Sequence, residues 1–553
     1  MKESIPVERS ARTELLWAAA FGGAAALFAA LVSRLVFGGM PHVQDSIAQL
    51  FQARIFAGGR LWAPSPPRPE FFEYSQMIND GRWYSQYPPG HPLLLVPGVW
   101  LGIPWLINPL LGGLAVLAIC LLAGDLFGPR HARVAGALGV LSPFLILMAA
   151  EFMSHVSALC FLSFFLLFYF RMLRTRRTRH GVTAGLCLGF AILIRPYSAF
   201  GFALPAAIQC LWLLLRRSFP NPRPILALGA GALLGGVAVC LYNWGTTGDP
   251  LTAGYIKLYG PSHGLGFGKG TWGRPHTLVR GLTAAWISLV SLNGRLFEWP
   301  GSSLWPLLLA LIPGRGGLDS GRKLRWFLAS IPLSLLAAYV FYWYHDLCFG
   351  PRYLYEALGP ILILSACGLV GAGRWLSEML GPRLRGGGRG LLPPALGLAL
   401  FAVAGATGWP RLFRTPDAAP GAAPGTPPRM GSYFQHFSPD FWGVGPDLHR
   451  TVEAQEPGPA LVFTHFAEDD IDDRLLSRMS PRERLPRRDL WFGSAFAWEQ
   501  PDLAHARIIY AHDRGSENAR LASLFPGRRV YLYTGNIEQG TLARLPALEG
   551  TLR

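Results

Sequence analysis

Charged residues are scarce in this sequence. They make up 15% of its 553 residues, whereas hydrophobic residues make up 51%, and a soluble domain carries about 25% charged residues. This shortage excludes an ordinary soluble protein and indicates a protein that lies in a membrane. Basic residues still outnumber acidic ones by 50 to 33, for a net charge of +17, so the placement of the positive charge needs an explanation.

Basic residues interleaved with aromatic ones, which mark a nucleic-acid surface, are also missing. The Lys and Arg residues instead form short clusters between apolar stretches, at 171–179, 216–223, 315–325 and 374–389. Basic loops of this kind mark the cytoplasmic side of a membrane protein. We therefore predict no nucleic-acid partner and attribute the charge to membrane topology.

Cysteine contributes only seven residues, six of them inside apolar segments, and none has CxxC spacing. A zinc or redox site is therefore not indicated. The sequence also has no internal repeat and no Gly-rich phosphate loop, which leaves nucleotide binding without support.

Long apolar runs are abundant. The first, residues 15–37, is longer than the apolar core of a signal peptide. With a cytoplasmic N-terminus, every basic cluster falls in the cytoplasm, while the loops at 41–92, 245–280 and 345–353 and the C-terminal tail fall outside. About eleven membrane helices are predicted, near residues 15–37, 104–126, 133–150, 154–171, 181–194, 198–215, 224–244, 301–313, 325–344, 354–373 and 390–408.

The C-terminal part has a different composition. Residues 409–430 are rich in Pro, Ala and Gly and predict a linker between a membrane domain, 1–408, and a small extracytoplasmic α/β domain, 431–553. We expect that domain to have a structural or acceptor-guiding role. The predicted fold is a polytopic α-helical membrane protein with a small C-terminal α/β domain. Strands are predicted at 460–464, 506–510 and 529–533, and a helix from an N-cap at Ser516 to Leu524.

A carboxylate stands just after the first apolar segment. Asp45 opens a stretch with helical spacing of apolar residues, which predicts an amphipathic helix on the membrane surface; these residues are Ile47, Leu50, Phe51 and Ile55. An acidic side chain near lipid needs a partner or a function. Asp45 is therefore predicted either to N-cap this helix or to take part in catalysis, and the two roles are compatible.

Two further groups of residues are candidates for a substrate pocket. Tyr87 and His91 flank two consecutive prolines, which cannot continue a helix and predict a rigid return into the membrane. Glu151 and His155 are four residues apart, a spacing that places two side chains on one helix face. A metal pair and a hydrogen-bonded pair both fit this spacing, and two ligands alone are weak evidence for a metal.

Cations at predicted external helix ends suggest that an anionic group binds there. The guanidinium of Arg352 can bind a phosphate through two parallel hydrogen bonds, and Arg195 ends another helix on the same face. The remaining candidates are polar or basic residues of the external loops, namely Lys257, Lys269, His345, Asp346 and Tyr353.

Over roughly residues 15–375 these segments together resemble the polytopic GT-C glycosyltransferases, in particular the bacterial relatives of protein O-mannosyltransferases and of lipid A aminoarabinose transferase (glycosyltransferase family 39-like). The matching motifs are Gln44-Asp45-Ser46, Gln52-Ala53-Arg54-Ile55-Phe56, Tyr87-Pro88-Pro89-Gly90-His91-Pro92, Met153-Ser154-His155, Ile194-Arg195-Pro196 and Gly350-Pro351-Arg352-Tyr353-Leu354.

The resemblance implies an enzyme of the bacterial inner membrane that moves a sugar from a polyprenyl-phosphate carrier to a lipid, glycan or protein acceptor outside the cytoplasm. Asp45 would be the general base of an inverting displacement, and Arg352, Lys269, Lys257 and Arg195 would bind the phosphate. Two positions depart from the family pattern: Ser46 replaces a second acidic residue, and Gln86 replaces a basic one. The first departure leaves a divalent metal in question, and the resemblance implies no certain cofactor.

Two other functions compete with this one. A transporter or flippase for lipid-linked or polar solutes would have inverted repeats and charges at mid-membrane, and the sequence shows little of either. A non-catalytic assembly protein that acts through its external tail is a third hypothesis, and the resemblance counts against it.

Overall fold

The computed structural model describes residues 7–271, 275–299, 301–312, 321–379, 444–455, 458–467, 491–536 and 540–549. The chain divides into two compact units. The first comprises Met1–Val32, Asn108–Val239 and Pro261–Gln435, and the second comprises Ser33–Ile107, Cys240–Gly260 and His436–Arg553. The predicted linker at 409–430 lies outside the described residues, so the predicted domain boundaries stay predictions.

Helices dominate the described part of the chain up to residue 379. Apolar runs of membrane-spanning length become helices because only a helix satisfies all of its backbone hydrogen bonds within lipid. The α-helices of six or more residues in this part are Val7–Leu35, Gln44–Ala57, Gly90–Leu101, Ile107–Phe127, Pro129–Leu141, Pro143–Ala149, Ser154–Thr175, Thr178–Ile194, Pro196–Leu215, Arg223–Thr247, Gly254–Tyr259, Leu278–Arg295, Trp305–Leu311, Arg322–Tyr339 and Leu358–Met379.

Six of the described helical stretches are long and apolar enough to cross a membrane, or seven if one bent pair counts as a span. They confirm the prediction of a polytopic helical membrane protein. The predicted span at 390–408 lies outside the described residues, so the predicted total of about eleven stays a prediction. The six are Arg12–Leu35, Pro104–Phe127, Ser154–Thr175, Pro196–Leu215, Arg223–Thr247 and Arg352–Trp375.

The bent pair corrects the predicted continuous helix at 133–150. Helices Pro129–Leu141 and Pro143–Ala149 meet at an angle of 60°. Ser142 between them is extended, and its hydroxyl oxygen accepts a hydrogen bond from the backbone N–H of Leu145 at 3.3 Å. This N-cap and the proline after it start a new helix. The predicted helix at 301–313 is likewise shorter than expected, because it covers only Trp305–Leu311.

In the first unit, helix Thr178–Ile194 and the part of helix Arg223–Thr247 up to Val239 approach each other through glycines. A Cβ atom added at any of the contact positions would lie between 2.1 and 2.5 Å from a backbone atom of the other helix. Small residues four apart let membrane helices pack backbone to backbone. We call this contact the glycine seam; its residues are Gly181, Gly185, Gly189, Gly231 and Gly235.

The second unit contains two sheets. A small antiparallel sheet has the order Ala63–Pro64, Arg82–Ser85, Met77–Asn79. The larger sheet has the order Ile508–His512, Ala460–Phe466, Arg529–Gly535, Gly540–Arg544; its first three strands are parallel and the last is antiparallel.

The larger sheet confirms the predicted C-terminal α/β fold. The strand predicted at 506–510 lies two residues later, at Ile508–His512. The predicted N-cap at Ser516 is wrong. Ser516 lies inside the 3₁₀ turn Gly515–Glu517, and the helix that follows covers only Asn518–Ala522.

The helix Gln44–Ala57, which we call the Asp45 helix, is part of the hydrophobic core of the second unit. Nine of its 14 residues are buried, and Ile47, Phe51 and Ile55 pack in one cluster with residues of the C-terminal sheet. The predicted amphipathic pattern is therefore wrong, because protein covers most faces of this helix, while its predicted place at the membrane surface stays a prediction.

Candidate active site

Asp45 lies in the first turn of its helix. Val43 occupies the N-cap position of that helix, and Asp45 follows two residues later, inside the helix, so the predicted N-cap role of Asp45 is wrong. The carboxylate of Asp45 instead accepts a hydrogen bond from the hydroxyl of Tyr87. The positive end of the helix dipole favours an anion at this place.

Tyr87 is buried, and its ring meets that of Tyr255 edge to face at 5.5 Å. Burial and the neighbouring Asp45 hold the pKa of Tyr87 well above its usual value. The phenol therefore keeps its proton and remains a donor to Asp45. His91, the second pocket candidate of this segment, is buried in the first turn of helix Gly90–Leu101. The prolines thus precede and begin a helix, where their missing N–H is tolerated.

The short helix Gly254–Tyr259 packs directly on the segment of Gln86. A Cβ atom added at Gly254 would lie 2.4 Å from the carbonyl oxygen of Gln86. This helix carries Lys257, whose ammonium lies 2.8 Å from Asp80 in a pair that is 38% and 48% exposed. The structure thus places a basic side chain on the element that contacts Gln86, the position where the family pattern has a basic residue.

In the first unit, the site centres on Glu356, which the sequence reasoning missed. Its side chain is fully buried, and its Oε1 atom lies 2.9 Å from Nδ1 of His155 and 2.9 Å from Nε of Arg195. Glu356 is the only acidic residue between 354 and 373. An ionisable residue in a membrane span is a candidate functional residue, so this rule applied to the sequence would have found it.

Arg195 directly follows helix Thr178–Ile194, as predicted. Besides Glu356, its guanidinium donates to the hydroxyls of Ser198 at 3.2 Å and Ser154 at 3.3 Å. These bonds fix the orientation of the guanidinium, and the carboxylate of Glu356 neutralises its charge.

Glu151 and His155 do not share a helix face. Glu151 lies in the break before helix Ser154–Thr175, and its carbonyl oxygen accepts a hydrogen bond from Asn108. His155 pairs with Glu356 instead. The predicted i, i+4 pair is therefore wrong, because the chain is not helical at Glu151.

Arg352 is paired with Asp346 at 2.8 Å and lies over the ring of Tyr353 at 5.3 Å. The ring of Tyr353 also lies 6.3 Å from that of His345 and 6.2 Å from that of His155, so it joins the Arg352 pair to the Glu356 cluster. Burial and His276 lower the pKa of His345 to about 4, which leaves that ring neutral at pH 7.

Lys269 lies in the loop before helix Leu278–Arg295, where its carbonyl oxygen accepts the N–H of His276 at 2.7 Å. In the part of the chain that the structure describes, no group of three His, Cys, Asp or Glu residues is placed to hold a metal ion.

Three of the four predicted phosphate ligands form ion pairs with carboxylates. They are Arg352 with Asp346, Arg195 with Glu356 and Lys257 with Asp80. An incoming phosphate would have to compete with these carboxylates. The Lys257 pair is the most exposed and the Arg195 pair the most buried, so they differ in how easily they open.

Residues 105–242 match the family model described as dolichyl-phosphate-mannose-protein mannosyltransferase. Among solved structures, the chain is similar to ArnT from Cupriavidus metallidurans bound to undecaprenyl phosphate, with 15% identity, a TM-score of 0.54 and coverage of 97% of this chain and 99% of that one. ArnT in the apo state gives 15% identity, a TM-score of 0.51 and coverage of 95% and 98%. No curated protein matches the sequence.

The likeness to ArnT extends over almost the whole of both chains, including the membrane helices and the C-terminal α/β part. At 15% identity it is a likeness of fold, and the family model agrees with it over 105–242. The chain is therefore a polytopic membrane protein with the fold of the GT-C glycosyltransferases, as the motifs predicted.

Proposed function

We propose that this protein is a membrane glycosyltransferase that moves a sugar from a polyprenyl-phosphate carrier to an acceptor on the extracytoplasmic face. The main support is Asp45, a carboxylate in the first turn of a buried helix that is hydrogen-bonded by a buried tyrosine. The undecaprenyl phosphate bound to the similar ArnT supports the choice of carrier. The acceptor is a lipid, glycan or protein.

Membrane topology supports the same assignment. The basic clusters favour a cytoplasmic N-terminus and cytoplasmic basic loops. Asp45 and the C-terminal domain then lie outside it, and a bacterial inner membrane fits this arrangement.

In the proposed reaction, Asp45 acts as general base. It takes the proton from the acceptor hydroxyl while the hydroxyl oxygen forms a bond to the anomeric carbon of the sugar. The bond between that carbon and the carrier phosphate breaks, and the phosphate leaves with the electron pair. The anomeric configuration is inverted. The hydrogen bond from Tyr87 keeps the carboxylate of Asp45 oriented.

The leaving phosphate needs cations to stabilise its charge. The ion pair that each candidate cation already forms with a carboxylate decides how easily it can bind the phosphate. The exposed Lys257–Asp80 pair opens at little cost, because surface ion pairs contribute about 0–1 kcal/mol. Lys257 is therefore the cation most readily transferred to a phosphate, and Arg352 and Lys269 are the further candidates that the resemblance implies. Arg195 stays with the buried Glu356 and contributes a fixed guanidinium.

The test is transfer from radiolabelled polyprenyl-phosphate sugars to candidate acceptors by the purified protein. We expect transfer by the native chain and near-complete loss in Asp45→Asn. Asp249→Asn is the matched control, since Asp249 is a solvent-exposed carboxylate that bonds only within its own loop. Equal transfer by the native protein and Asp45→Asn would exclude Asp45 as the base.

One observation favours transport as the second candidate. His155 and Glu356 lie within candidate membrane spans, and Arg195 directly precedes another. Buried charged clusters of this kind also occur on solute and proton pathways. Movement of a lipid-linked sugar across vesicles without transfer to an acceptor would support this alternative.

A further inference from the structure

We infer that the C-terminal α/β domain contributes to the active site because it holds the Asp45 helix in position. Arg54 is the positioning residue. This inference rests on the proposed role of Asp45. The contact is made by a short helix over residues 491–496, which we call the clamp helix. It belongs to the same compact unit as the Asp45 helix.

One face of the Asp45 helix contacts the clamp helix along its length. Ile47 lies against Gly493, and the rings of Phe51 and Phe496 are 5.2 Å apart. Spacings of four and three residues place Ile47, Phe51 and Arg54 on that one face. The contact therefore extends from the end that bears Asp45 to the last turn.

Arg54 makes the most specific of these contacts. Its Nη2 atom donates to the carbonyl oxygen of Ala497 at 2.7 Å, and its Nη1 atom donates to that of Glu499 at 2.8 Å. Carbonyls just after a helix lack partners within it, and a cation there also complements the helix dipole. Burial lowers the pKa of Arg54 to about 10, so it is charged at pH 7 and both hydrogen bonds are charge-assisted.

Glu499 links this contact to the large sheet. Its fully buried carboxyl group accepts the backbone N–H of Tyr510 at 2.8 Å, and Tyr510 belongs to the edge strand Ile508–His512. The edge of the sheet thus fixes the segment after the clamp helix, and that segment fixes Arg54.

Gly493 shows how close the two helices are. A Cβ atom at this position would lie 2.8 Å from the hydroxyl of Tyr74, 3.0 Å from Cδ1 of Ile47 and 3.0 Å from Cγ2 of Val444. The clamp helix therefore needs a residue without a side chain where it faces Ile47, two positions after Asp45.

The distance between the two ends explains why a fixed Arg54 matters. Asp45 and Arg54 are nine residues apart, which is about 13 Å along a helix. A tilt at one end displaces the other, and a misplacement of about 1 Å in a reacting group can cost about 10²-fold in rate. The domain thus acts on the rate of transfer through the position of the base.

The test compares Arg54→Gln with Arg528→Gln in the full-length protein. Arg528 is a matched control, because its guanidinium also donates to backbone carbonyls of this domain, those of Leu503 at 3.0 Å and Ala504 at 3.2 Å. Both variants lose such bonds, but only Arg54 lies on the Asp45 helix. We expect kcat to fall about 10²-fold in Arg54→Gln, with the KM for the donor unchanged, and kcat to stay native in Arg528→Gln. Arg54→Lys, which retains the charge, should recover part of the loss.

Hydrogen exchange of the peptide covering residues 44–57 gives a second measurement that does not depend on activity. Protection should fall in Arg54→Gln and remain in Arg528→Gln. If Arg54→Gln does not fold, Gly493→Ala replaces it, with Gly236→Ala as control, because a Cβ at Gly236 meets nothing within 4 Å.

Three results would overturn the inference: native kcat in Arg54→Gln, an equal loss of kcat in Arg528→Gln, or unchanged protection of residues 44–57. Failure of the proposed function has a different signature. In that case Asp45→Asn would keep its transfer activity while Arg54→Gln still loses protection of the helix.

Discussion

Replacing Glu356 by Gln tests whether the buried cluster of the first unit is held together by charge. The substitution retains the shape of the side chain but removes the negative charge 2.9 Å from Nε of Arg195. The side chain of Arg195 is only 18% exposed. Its charge would therefore lose this counterion in a site where water screens it little.

Two estimates of the cost agree. With the charge centres about 4 Å apart and an effective dielectric constant of about 20, Coulomb's law gives about 4 kcal/mol. Removal of one partner from a buried ion pair costs about 3–5 kcal/mol. We therefore expect Glu356→Gln to lose about 3–5 kcal/mol of folding free energy, and the double variant Glu356→Gln/Arg195→Met to regain most of it.

The assay is thermal unfolding of the purified protein in detergent, for Glu356→Gln, Arg195→Met and the double variant. Glu14→Gln is the control, because it breaks a pair with Arg133 at 2.8 Å whose side chains are 21% and 45% exposed, and such pairs contribute about 0–1 kcal/mol. The reasoning is refuted if Glu356→Gln unfolds at the same temperature as Glu14→Gln. It is also refuted if the double variant is no more stable than the weaker single variant.

Two more predictions concern the second unit. Burial raises the pKa of Glu499 from 4.5 to about 8. Its contribution to stability is therefore full below about pH 4.5 and is lost as the pH rises through 8. The Tm of the native protein should fall between pH 5 and 9 and that of Glu499→Gln should not, whereas a parallel fall in both proteins would contradict the assignment. Gly254→Ala should displace the Lys257 helix from Gln86, since the added Cβ would lie 2.4 Å from a backbone oxygen. We expect the donor KM to rise about 10-fold, which corresponds to about 1.4 kcal/mol, whereas Gly229→Ala, where a Cβ meets nothing within 4 Å, should leave it unchanged.

The membrane helices were predictable because their signal is local. An apolar run of about 20 residues has few alternatives to a spanning helix. The break at Ser142 was not visible in the same way, because the residues on both sides of it are apolar and a proline is compatible with the first turn of a new helix.

The partners of the site residues were less predictable. Helical spacing correctly indicated a helix after Asp45, but the backbone oxygens that hold Arg54 lie 443 and 445 residues later in the chain. His155 and Glu356 are separated by 201 residues. No local sequence pattern reveals such distant partners. A single sequence shows only that an ionisable residue in an apolar segment must have a partner.

The glycine seam has a consequence for genetics. Helix Thr178–Ile194 ends where Arg195 begins, and Gly189 is only about 9 Å along the helix from that arginine. Because the seam leaves no room for a methyl group, a single added carbon would force the two helices apart and displace Arg195. A screen that scores only growth or product would therefore report these glycines as if they touched substrate, although they act through the packing of the helix that ends before Arg195.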